Sequence, residues 1–78
     1  MIDKSSWKES SEINKEIAKR LRAIRRKQKI SQEQLWLISG VSLGSIKRFE
    51  RTGDISFKSL IKIASSLGRL EDIKLLFK

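Results

Sequence analysis

From Ile13 onward the chain places apolar residues at helical spacing. Ile13, Ile17, Leu21 and Ile24 recur at intervals of four, four and three, the stripe of an amphipathic helix, and the other faces of that stretch are basic. Three further helix starts are marked by one device. Ile30-Ser31 precedes Leu35, Val41-Ser42 precedes Ile46, and Ile55-Ser56 precedes Leu60. In each case the serine can cap the first turn, while the apolar residue before it reaches the one four places after the cap. Gln34 adds a capping-box partner for Ser31. Gly40, Gly53 and Gly68 each follow a helical stretch and predict its exit. A fourth helix is expected from about Phe57 to Leu67, with Phe57, Leu60, Ala64 and Leu67 on one face. A short fifth, Leu70 to Phe77, offers Leu70, Ile73 and Leu76. Nothing alternates with period two, so the expected fold is all-α with five short helices.

Residues 1–12 show no such periodicity. They are polar and serine-rich apart from Ile2 and Trp7, and read as a flexible N-terminal arm, with the first helix beginning near Ser11. Residues 13–78 then form one domain. A chain of 78 residues holds one small core, in which every apolar helix face is needed.

Composition narrows the function. The chain has no cysteine or histidine, so neither a disulfide framework nor a thiolate metal site is available. No apolar run approaches membrane-spanning length and no signal-peptide core is present, which together predict a cytoplasmic protein. Charge is the strongest signal: 18 Lys and Arg face 9 Asp and Glu, for a net +9. Between Lys15 and Lys29 the only acid is Glu16, against eight Lys and Arg. A patch of that density draws polyanions. A membrane-active basic helix would also use it, but the capped, turn-punctuated remainder predicts a folded domain and no membrane partner.

Only Gly40 and Val41 separate the second helix from the cap of the third. A turn that short forces a steep crossing, the helix-turn-helix arrangement whose second helix can enter a major groove. Gln32-Glu33-Gln34-Leu35, Gly40-Val41-Ser42 and Ile46-Lys47-Arg48-Phe49-Glu50 resemble the Cro/repressor (XRE) helix-turn-helix family, and the likeness runs from about Ile17 to Gly68. The resemblance implies a repressor-like DNA-binding domain in which Ser42, Leu43, Gly44, Lys47 and Arg48 face base edges. It implies phosphate contacts from Gln32, Arg51, Thr52 and Lys58, with Ser31 and Ser45 counted beside them, and a buried structural ion pair between Arg25 and Glu50. Independently, the helix N-termini at Ser31 and Ser56 offer free amides suited to phosphate, and Arg48 can bond guanine bidentately.

One stretch departs from the family. Trp36 stands where alanine is usual, and Leu37 and Ile38 where polar residues are usual. The run Leu35-Trp36-Leu37-Ile38 makes this helix apolar on all sides, which predicts strain at Trp36 and a protein cover over the outer face, from the arm or from a partner. The expected function is sequence-specific transcriptional regulation as a repressor, by a homodimer on a palindromic double-stranded operator. The alternative is an antitoxin that represses its own operon and binds a toxin protein, because Gly44 to Glu50 and the later Leu-Gly-Arg-Leu-Glu-Asp also resemble HipB-type antitoxins. Neither reading needs a cofactor or a metal. An enzyme is not expected: the chain offers no His or Cys, no phosphate-binding glycine loop and no separated pair of acids on one face, and Glu71-Asp72 suit a helix start better than a catalytic dyad.

Overall fold

The computed structural model describes the backbone of residues 4–78 and the side chains from Lys8 onward. Five helices follow one another: α1 (Lys4–Lys27), α2 (Gln32–Ser39), α3 (Leu43–Thr52), α4 (Phe57–Ser66) and α5 (Leu70–Lys74). Their starts match the serine signals. Ser31, Ser42 and Ser56 each accept a hydrogen bond from the backbone N–H three residues on, and at Ser31 the Gln34 side chain returns the bond to complete the capping box.

The first helix begins at Lys4, well before Ser11. Residues 4–12 carry no apolar stripe, but helix propagation needs none. Once the packed part of α1 is formed, each added residue gains one backbone bond, and Lys and Glu propagate well. Ile2 and the Trp7 side chain, the two apolar features of the expected arm, lie outside the described residues. The fifth helix is shorter than its periodicity predicts. It ends at Lys74; Leu75 and Phe77 are exposed, and Phe77 takes φ +62°, outside the helical region.

The core is a cluster of Ala18, Leu35, Val41, Ile46, Phe49, Ile63 and Leu67, with Leu21, Ile24, Ile30, Ile55 and Leu60 packed around it. Helix α1 has two inward sides. Ala18 and Arg25 are buried, and α1 packs chiefly on α3. Ile17, Leu21 and Ile24 line a groove shared with Leu60, Ile73 and Leu76 of α4 and the C-terminal segment. Ile13 stays exposed, and so does Phe57, which the periodicity had set on the core face of α4 in place of the fully buried Ile63.

Trp36 does not wedge between α2 and α3. Leu35 alone fills the inner face of α2, while Trp36, Leu37 and Ile38 are 46, 76 and 57% exposed. The strain expected from indole at a close helix crossing therefore does not arise, because the side chain turns outward. Among the described residues no helix is long and apolar enough to cross a membrane.

Candidate nucleic-acid interface

The turn between α2 and α3 is built from Gly40, Val41 and Ser42. Gly40 adopts φ +76°, which a side chain would resist, and its N–H closes α2 onto the Trp36 carbonyl at 2.9 Å. Val41 is buried and anchors the turn, and its N–H donates to Ser39 Oγ at 3.1 Å. Ser42 Oγ accepts from the Ser45 N–H at 3.2 Å and donates to Ser45 Oγ at 2.8 Å, so both serines are engaged in starting α3.

Helix α3 divides cleanly by its 3.6-residue period. Ile46, Phe49 and the Glu50 carboxylate point inward, while Gly44, Lys47, Arg48 and Arg51 share the opposite face and are exposed. Leu43 and Ser45 are half-buried on its flanks. Thr52 closes the helix: its hydroxyl donates to the Arg48 carbonyl at 2.8 Å and accepts from the Asp54 N–H at 3.1 Å. Arg48 Nε lies 3.8 Å from Asp54 Oδ2, a loose and solvent-exposed approach. Lys58 stands exposed in the first turn of α4, one helix start further on.

The inward side of α3 is held by an ionic junction. Arg25 Nε donates to Glu50 Oε2 at 2.7 Å and Arg25 Nη2 to Glu50 Oε1 at 2.9 Å, a two-pronged bond. Arg25 Nη1 donates to the Ile30 carbonyl at 2.7 Å, and Gln32 Nε2 donates to Glu50 Oε1 at 3.0 Å. One carboxylate on the second half of α3 thus joins the end of α1 to the start of α2, and Arg25 ties in the loop between them. Gln32 is held within this junction, yet it remains only half-buried. Sequence reasoning missed Arg22, whose Nε lies 3.8 Å from Glu50 Oε1 while half its side chain meets solvent. Its signal was its place one turn before Arg25.

At Gly53, α3 and α1 come close. The residue has φ +83°, and a Cβ built on it would stand 2.6 Å from the Asn14 carbonyl carbon and 2.8 Å from Lys15 N. The exit of α3 is therefore pressed against the backbone of α1.

The result is an exposed basic helix face bearing Lys47, Arg48 and Arg51. A convex helix with outward Lys and Arg suits a groove lined by phosphates. A helix-turn-helix family model, HTH_3, matches residues 21–73, from the second half of α1 into α5. No curated protein and no solved structure matches the chain.

Proposed function

This chain belongs to the helix-turn-helix family HTH_3, a family of DNA-binding transcriptional regulators, and we propose that within it the protein is a sequence-specific repressor whose α3 reads the major groove. The observation that carries this reading is the two-sidedness of α3: Gly44, Lys47, Arg48 and Arg51 face outward from a helix locked from behind by Arg25 and Glu50. A rigid base behind an exposed reading face keeps the ordering cost of binding low.

In this reading Arg48, Lys47 and Ser42 meet base edges, Leu43 meets a thymine methyl, and Gly44 lets the helix sit close. Ser31, Gln32, Ser45, Arg51, Thr52 and Lys58 engage phosphates on either side. The active form is a homodimer on a palindromic operator, the arrangement in which helix-turn-helix dimers meet two half-sites, and it works in the cytoplasm without cofactor or catalysis.

Selection of sites from a random duplex pool tests the reading. Arg48→Ala should relax preference at one base pair, at a cost of about 1–3 kcal/mol on the best site, whereas Lys58→Ala should weaken all sequences alike. Identical behaviour of the two variants across the pool overturns the division into base and backbone readers.

The exposed face of Trp36, Leu37 and Ile38 favours one addition, the antitoxin reading. Such a face suits a protein partner such as a toxin encoded beside this gene. Co-expression with the neighbouring reading frame, with and without Leu37→Glu/Ile38→Lys, tests it. Co-purification that survives the double substitution rules this face out as the toxin site.

A further inference from the structure

Helix α1 carries more than its packing requires. At 100° per residue, Lys8, Lys15, Lys19, Arg22 and Arg26 fall within one narrow strip of its surface, and all five are exposed. Of the acids of the same helix, Glu9 and Glu16 are offset toward a neighbouring face, where Glu16 pairs with Arg20 at 3.5 Å, while Glu12 borders the edge of the strip between Lys8 and Lys15. Among the described residues no ion pair engages Lys8, Lys15, Lys19 or Arg26, and Arg22 approaches only Glu50, whose carboxylate Arg25 already neutralises. The strip is a ridge of net positive charge about 27 Å long, at about 1.5 Å per residue.

Two contacts locate the ridge relative to α3. Near its C-terminal end, Arg22 borders the Glu50–Gln32 junction at the start of α2. Further toward the N-terminus, the backbone of α1 at Asn14 and Lys15, where the ridge residue Lys15 is rooted, lies against Gly53, at which the loop from Arg51 and Thr52 leaves α3. The ridge thus runs alongside the buried strip of Ala18 and Arg25, on the side away from the apolar groove of Ile17, Leu21 and Ile24. Lys8 lies on the part of α1 that continues beyond the Gly53 contact.

We propose that this ridge is a second DNA-backbone contact, running from the start of α2 past the α3–α4 loop and tracking phosphates that the helix-turn-helix itself does not reach. The inference rests on the DNA-binding reading above and adds a flanking surface to it. The reasoning is charge complementarity together with continuity. A one-sided row of free Lys and Arg matches a phosphate chain, and it joins the proposed interface at both contacts. Such contacts hold register and carry no sequence information.

The experiment is a salt titration of duplex binding with two charge-matched variants. Lys15→Ala/Lys19→Ala removes two ridge charges, and Arg20→Ala/Lys27→Ala removes two from the other face; alanine keeps the helix in both. The ridge variant should reduce the slope of log K against log salt by about 0.9 per lost phosphate, roughly two in all, and the other variant should leave the slope unchanged. In addition, wild type should bind more tightly as nonspecific flanks are added to the duplex, and Lys8→Ala should lose part of that gain. Melting curves establish that each variant is folded, with Lys→Gln as replacement if an alanine variant melts early. Equal slopes for the two double variants, or a ridge variant matching wild type while Lys58→Ala still lowers the slope, overturn the ridge and leave the DNA reading standing. A flat wild-type titration overturns both.

Discussion

Glu50→Ala should be among the most destabilising single changes in this protein, although Glu50 lies on the helix proposed to read DNA. Its side chain is 7% exposed and that of Arg25 10%. Removing the carboxylate leaves Arg25 Nε and Nη2 without acceptors in a site too tight for free hydration, and it releases Gln32 Nε2 as well. Only the bond from Arg25 Nη1 to the Ile30 carbonyl survives. Breaking a buried pair from one side costs about 3–5 kcal/mol, because the remaining charge stays buried and unpaired. A domain of this size has only about 5–15 kcal/mol in total, so Glu50→Ala should approach the threshold of unfolding. Even the lower value corresponds to a fall in melting temperature of about 12 °C or more. Urea denaturation followed by helical circular dichroism provides the measurement, with the slope of free energy against urea showing whether both proteins unfold as one unit. Replacing both partners together, Arg25→Met with Glu50→Leu, should recover most of the loss, because no buried charge then remains. A Glu50→Ala midpoint equal to wild type would mean that the junction is solvated and adds nothing. A double variant no more stable than the single would mean that the loss is one of shape and not of charge.

Three further outcomes follow from local geometry. Gly53→Ala should cost clearly more than Gly40→Ala in urea: both residues have positive φ, but only at Gly53 would the Cβ meet backbone, at 2.6 Å. Equal midpoints would show that the contact with α1 yields freely. Ser31→Ala removes the acceptor for the Gln34 N–H and half of the capping box, and should lower stability by about 1 kcal/mol, read from the same transition. Leu37→Glu with Ile38→Lys should leave the stability of the isolated chain within about 0.5 kcal/mol, since both side chains face solvent; a large loss on thermal melting would place them in a contact within or between chains.

What could be read from the sequence was whatever local chemistry determines. The serine caps and the glycine exits depend on residues within one turn of each other, so Ser31, Ser42 and Ser56 marked their helices correctly. The start of α1 was invisible because periodicity reports burial, and residues 8–16 bury nothing. Its exit was equally silent: Lys29 takes φ +60° without being glycine, with the chain held there by the Ile30 N–H bond to the Arg25 carbonyl at 3.1 Å. The Trp36 problem dissolved for a related reason. An apolar run does not say which members turn inward, and only Leu35 does. Within the candidate site, the outward face of α3 was legible from residue type and spacing. The bond from Gln32 to Glu50 and the pressing of Gly53 on Asn14 were not, because they depend on how helices far apart in sequence cross.

The division of α3 between an inward and an outward face also bears on how such a protein diversifies. Ile46, Phe49, Glu50 and Gly53 are each tied to another element, and Glu50 to both α1 and α2 at once, so change at any of them disturbs the whole fold. Gly44, Lys47, Arg48 and Arg51 are tied to almost nothing. Substitutions there leave the frame intact, so under the proposed reading a change at Lys47 or Arg48 would alter base preference without first needing compensating changes elsewhere.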